Sequence, residues 1–286
     1  MPTLPAELQD SRITRITGQD EALAADVINR RGLQRLAVTQ DSSYWEVDVP
    51  AGLVPGYTAI LKFGYNPYLK NSDYGDIWDG GDRYVWPTSA AVVEVSSTST
   101  SDSSAGIGAR TVRLYGLDAS YNQIEETVTL NGTTPVNTTQ SFIRLHRMAV
   151  LTAGSTGWNI GNILSKQGSN LIAQISVDLL GSMDEGLNQS LMCIYTVPAG
   201  KTFFMENWYY SLRSGKSTAV RLFVRPFGGV FQIKSFLDLD SSGVRDFEYA
   251  LVVQEKSDII VSAIASTGSH ALASGFDGVL VDNDQL

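Results

Sequence analysis

From residue 44 onward, apolar residues recur at about every second position, the spacing of strands whose side chains point alternately to opposite faces. The segments "YWEVDVPAG" (44–52), "TAILKFGY" (58–65) and "AAVVEVSST" (90–98) follow this pattern. So do "RTVRLYGLD" (110–118) and "NQIEETVTLNG" (122–132), which read as a hairpin closed across Ala119, Ser120 and Tyr121. "SFIRLHRMAVLTAG" (141–154) and "LIAQISVDLLG" (171–181) complete a first block. The last third is denser in strands, from "SLMCIYTVPAG" to "ALASGFDGVLVD", separated by short turns of Gly, Ser and Asp. Such spacing predicts an all-β chain built from tandem antiparallel β-sandwich units of jelly-roll type. One stretch, 97–108, is so rich in Ser, Thr and Gly that its composition predicts a mobile loop.

The first forty residues differ. In "TGQDEALAADVINRRGLQ", Thr17 or Asp20 can cap a helix over about 20–31 that puts Leu23, Val27 and Ile28 on one face and stops at Gly32. Its flanks are too thinly apolar to pack a core, so 1–40 reads as an extended arm, with a frayed terminus as the plain alternative. The polar break "GSMDEGLNQS" (181–190) suggests a boundary between a first sandwich over 41–185 and a second over 186–286.

Composition narrows the function. The 286 residues carry a formal charge of −9, which repels polyphosphate and argues against nucleic acid as a partner. Charged residues are scarce while Gly, Ser and Thr are plentiful, a balance that favours sheets and turns. Without a basic and apolar leader or a spanning apolar run, the expectation is a chain made in cytoplasm with no membrane partner. A single cysteine, Cys193, sits in the apolar run "LMCIYTV" and is expected to be a buried, inert thiol.

Candidate chemistry is thin. His146 is expected on a polar strand face and His270 in a turn; no serine has a nucleophile-elbow setting and no phosphate loop is present. We therefore expect no catalytic residues, no metal and no cofactor. The densest stretch is "DYGDIWDGGDRYVWP" (73–87), with Asp73, Asp76, Asp79 and Asp82 at every third position. A helix-loop calcium site needs ligands at positions 1, 3 and 5 and a glutamate at 12, which this spacing does not match. A looser calcium site and a carboxylate-pair glycosidase stay open as minor readings. The main one is a contact loop whose Trp78, Tyr84 and Trp86 supply stiff interface area, with a lid over the core as the compatible alternative. In "KTFFMENWYYSL" neither face is purely polar, so Trp208 and Tyr210 are further interface candidates, as are Leu23, Val27 and Ile28 on the arm. Exposed aromatics in these two stretches would also suit a carbohydrate-binding module.

Several segments resemble virion structural proteins of tailed bacteriophages: "GARTVRLYGLDASYNQIEETVTLNGTTPV" (108–136), "SFIRLHRMAVLTAGSTGWNIGNI" (141–163), "VRLFVRPFGGVFQIKSFLDL" (220–239) and "GFDGVLVD" (275–282). The resemblance spans roughly 85 to 282. It implies a non-enzymatic component of the virion, associated with the tail or neck, part of a fibre, or decorating the head. It also implies other virion proteins as partners and, by analogy, a homotrimer.

Overall fold

The computed structural model describes residues 25–28, 34–37, 45–177, 185–213, 215–266 and 268–286. The chain divides into two compact units, Met1–Pro55 and Gly56–Leu286. In the first, β1 (Ala25–Ile28) pairs antiparallel with β2 (Gln34–Ala37). This corrects the helix expected over 20–31. Val27 and Ile28 are β-branched and lose side-chain freedom in a helix, so their stripe is at least as well suited to a strand. Leu23 and the expected caps Thr17 and Asp20 lie outside the described residues. The one short helix described near the N-terminus is instead α1 (Trp45–Asp48), where alternation predicts a strand. Over five residues the two periods cannot be told apart, since Trp45 and Val49 are also one helical turn apart. The turn closes through Val49 N–H to Trp45 O at 3.2 Å.

Almost all of the regular secondary structure described in the second unit is strand. It begins with β3 (Tyr57–Leu69) and the two-residue β4 (Gly75–Asp76). Then follow β5 (Ala91–Ser97), β6 (Ala109–Leu117), β7 (Gln123–Thr129), β8 (Val136–Phe142), β9 (Arg144–Ala153), β10 (Ile163–Gln167) and β11 (Asn170–Ile175). The remainder is β12 (Ile194–Thr196), β13 (Lys201–Leu212), β14 (Thr218–Arg225), β15 (Gln232–Leu239), β16 (Gly243–Val253), β17 (Asp258–Ala265) and β18 (His270–Asp282).

Strand pairing sorts these into two sandwiches. One has the sheets β16-β13-β18-β3 and β12-β17-β14-β15, all antiparallel, with β4 added to β17. Eight strands in this order form a jelly roll. The other has the sheets β11-β10-β5-β8 and β7-β6-β9. It is inserted in the roll, because the chain lays down β3 first and returns to the roll only at β12. Each sandwich has its own core. Phe203, Met205, Trp208, Val220, Leu222 and Phe276 are among the residues that fill the roll. Val93, Leu114, Phe142, Leu145, Met148 and Ile175 are among those of the insert.

Two local features show how sequence becomes packing. In β13, Phe203, Met205 and Trp208 all point inward although 205 and 208 are three apart. The register slips between Met205 and Asn207, and this bulge returns Trp208 to the buried face, where its Nε1–H donates to Ser274 Oγ at 2.9 Å. The stretch is therefore neither polar on one side nor an exposed apolar ribbon. In the insert, the loop that composition marks as mobile is tied down by one fully buried carboxylate. Asp102 accepts from Ala109 N at 2.8 Å, Ile160 N at 2.9 Å, Gly161 N at 2.8 Å and Ser97 Oγ at 2.6 Å. The polar residues of that loop serve its own hydrogen bonding.

Candidate functional site

The segment 73–87 lies where the roll and the insert meet. β17 is the reason. Its Ile259, Val261, Ala263 and Ala265 point into the roll, whereas Ile260 packs with the core of the insert. A strand apolar on both faces needs cover on both, and the 73–87 segment supplies part of the outer cover. Through β4, Asp76 and Gly75 pair with Ser262 and Ala263 of β17. Trp78 and Tyr84 are then core residues, 3% and 6% exposed. Their rings meet edge to face at 5.3 Å, Tyr84 meets Trp86 at 5.0 Å, and Trp86 meets Phe231 at 5.6 Å. Only Trp86 of the three is half-exposed. Gly80 is required beneath the Trp78 ring, since a Cβ there would lie 2.3 Å from it, and Gly81 takes the left-handed φ of 87° that the turn needs.

The four aspartates divide. Asp73 and Asp82 are exposed, the latter 3.0 Å from Lys70 Nζ. Asp76 and Asp79 are buried. Asp76 accepts from Tyr84 N at 2.7 Å and from Ser262 Oγ. Asp79 accepts from Ser176 Oγ at 3.1 Å, and its second oxygen has no partner among the described residues. Burial is the main cause that pushes Asp79 up to about 7 and raises Asp76 as well. Among the described residues, no three His, Cys, Asp or Glu side chains are grouped as a metal site would require.

Arg144 was not singled out as a site residue from the sequence. It projects from β9 of the insert onto Asp258 at the start of β17, with Nε–Oδ1 at 2.9 Å and Nη2–Oδ2 at 3.1 Å. Arg225 of β14 reaches the same carboxylate, Nε–Oδ2 at 2.8 Å and Nη2–Oδ2 at 2.5 Å, and Thr196 Oγ1 donates to Oδ1 at 2.5 Å. Burial works against the charge of Arg144, yet its Asp258 contacts hold its pKa above the ordinary value. Both guanidiniums lie near the Trp86 ring, 5.1 and 5.0 Å from its centroid. A second tie joins roll and insert: Lys62 of β3 donates from Nζ to the His146 carbonyl at 2.5 Å. Enclosure of that amine lowers its pKa to about 8. The two ties between roll and insert, Arg144–Asp258 and Lys62–His146, join residues 114 and 84 positions apart, and no local motif announces them.

The remaining expectations resolve as follows. His146 is buried against Tyr195 at 4.8 Å rather than on a polar face, and burial drives its pKa well below the usual value, so it is neutral. His270 starts β18 instead of sitting in a turn, 2.5 Å from Thr218 Oγ1. Cys193 is buried, and burial pushes its thiol up to about 12. Trp208 is fully buried in the roll and Tyr210 packs against that core from a half-buried position. Val27 and Ile28 lie in β1.

The class defined by these pairings is an eight-stranded jelly roll with a second sandwich inserted after its first strand. No protein-family model matches the chain, and no curated protein does. Among solved structures it aligns with the VP2 subviral particle of infectious bursal disease virus at 10% identity and a TM-score of 0.22, covering 80% of this chain and 73% of that one. Particles of T=1 symmetry derived from the same virus align at 9% identity and a TM-score of 0.22, over 80% and 70%. At that TM-score the alignments add nothing to the strand order, which stands on its own pairings.

Proposed function

We propose that the chain is a non-enzymatic structural component of a virion, as the phage resemblance over 85–282 implies. The observation that carries the reading is the nested architecture. A jelly roll, a fold used by viral capsid and lectin domains, is locked to its insert by a buried Arg144–Asp258 pair. Such a body suits rigid docking, and its rim offers the means. Phe236, Val244, Tyr249 and Val252, on the edge strands β15 and β16, are exposed large apolar side chains of the kind that subunit contacts cover. Within this reading the partners are other virion proteins, the arm over 1–40 makes the attachment to the tail or neck, and the oligomer is a homotrimer. A head-decorating role is the alternative. Sugar binding through Trp78, Tyr84 or Trp208 is disfavoured, because all three are buried.

Quantitative mass spectrometry of purified particles tests the proposal. We expect the chain to be present at a fixed copy number, about six to eighteen per particle for a tail position and hundreds for decoration. A chain lacking residues 1–40 should fold and be left out of particles. Absence of the full chain from particles overturns the virion role, and a stable monomer in light scattering at micromolar concentration overturns the trimer.

A further inference from the structure

Beside the Arg144–Asp258–Arg225 cluster the seam opens into a cleft of about 320 Å³. It is lined by Trp86, Tyr121, Arg144, Arg225, Phe227 and Lys256, with Asp258 as its one carboxylate. Three cations around a single anion leave an excess of positive charge, in a chain whose overall charge is −9. Arg144 and Arg225 are fixed by Asp258, but Lys256 Nζ has no ion-pair partner among the described residues. It lies 5.4 Å from the centroid of Phe227. Phe227 is 64% exposed and stands perpendicular to half-buried Tyr121 at 5.6 Å, so the Phe227 ring offers an apolar face to solvent with Tyr121 as its side wall. Tyr121 and Lys256 both hold a left-handed φ, 68° and 59°, a costly backbone for non-glycine residues that tends to gather at ligand sites.

These features specify a ligand. The surplus positive charge, with Lys256 unpaired among the described residues, asks for an anion, and the exposed ring of Phe227 asks for a flat apolar face such as the C–H face of a sugar ring. The volume, at the lower end of small-molecule sites, holds one or two rings and not a folded partner. We propose that this cleft binds a carboxylated sugar, its carboxylate on Lys256 and Arg225 and its ring against Phe227 and Tyr121. The site lies in the body of the molecule and does not depend on the virion role.

The test titrates the full chain with disaccharides containing a uronic acid or a sialic acid, read by calorimetry and by saturation-transfer NMR. Saturable binding is expected, with transfer to ring protons of the sugar. Lys256→Gly tolerates the left-handed backbone while removing the ammonium, and Phe227→Ala trims an exposed ring. Each should weaken binding at least tenfold while leaving the melting temperature within about 2 °C. The same disaccharide with its carboxyl amidated should also bind at least tenfold more weakly. Absence of saturable binding by either sugar overturns the proposal, as does binding that both variants leave intact. Inorganic phosphate that binds as tightly as the sugars would reduce the cleft to a plain anion site and overturn the sugar assignment.

Discussion

Replacing Asp258 by Asn keeps the volume and shape of the side chain and removes its charge. In the native protein this carboxylate neutralises Arg144, with side-chain exposures of 3% and 7% for the pair. Water can therefore replace the lost partner at Arg144 only in small part. Arg225 is more accessible, at 27%, and can turn outward at little cost. Leaving one member of a buried pair unmatched typically costs about 3–5 kcal/mol. The lower end is the better estimate here, because Arg144 keeps its hydrogen bonds to the Pro87 and Ile143 carbonyls at 2.7 and 2.8 Å. For a unit of this size about 3 kcal/mol corresponds to a fall in melting temperature of roughly 6–12 °C. Calorimetry or circular dichroism at pH 7 would measure it, and added salt should change it little, since the pair is shielded from solvent. The triple replacement Arg144→Met, Asp258→Leu and Thr196→Val should recover much of the loss, because matched apolar groups need no counter-charge and the buried Thr196 hydroxyl is no longer left without an acceptor. A melting point for Asp258→Asn within about 2 °C of the native protein would show that the cluster does not hold roll and insert together.

Other consequences follow from the same packing. Asp79 titrates near 7 when folded against an ordinary 3.8, so the folded state holds the extra proton between those values and its contribution to stability falls as pH rises from about 4 to 7. Lys62 titrates near 8 against 10.5, so the unfolded state holds the extra proton there and this contribution rises from about pH 8 to 10.5. Asp79→Asn should flatten the acid-side dependence in denaturant titrations; an unchanged slope would refute the assignment. Gly64→Ala should prevent correct folding, because its Cβ would lie 2.3 Å from both Cys193 N and Ile77 O, and a soluble variant with native melting would contradict that packing. Trp208→Ala should cost about 3–5 kcal/mol in chemical denaturation and Trp86→Ala about 1–2, in keeping with their burial. The reverse order would mean that the exposed edge of the seam, not the roll core, carries the stability.

The class of fold was legible in the sequence because the period of two is a local property. Each strand's alternation can be read without knowing its partner, and the hairpin between β6 and β7 even shows its turn, where Asp118 accepts from Ser120 N and Asn122 N at 2.8 and 2.9 Å. The inert Cys193 was legible for the same reason. Short segments were not: "WEVDV" fits both periods, and "ADVI" sits as well in a strand as in a helix, so hydrogen bonds formed elsewhere decide. What tertiary structure alone decided is the nesting and the seam. Nothing in "TAILKFGY" tells that β3 pairs with β18, more than two hundred residues on, because a strand's edge carries no address. Likewise Arg144 and Asp258 look like ordinary solvated charges until β9 and β17 bring them together. The aromatics of 73–87 signal a contact in the sequence, but whether that contact is with a partner or with the chain's own two cores depends on the cover β17 needs on its second face.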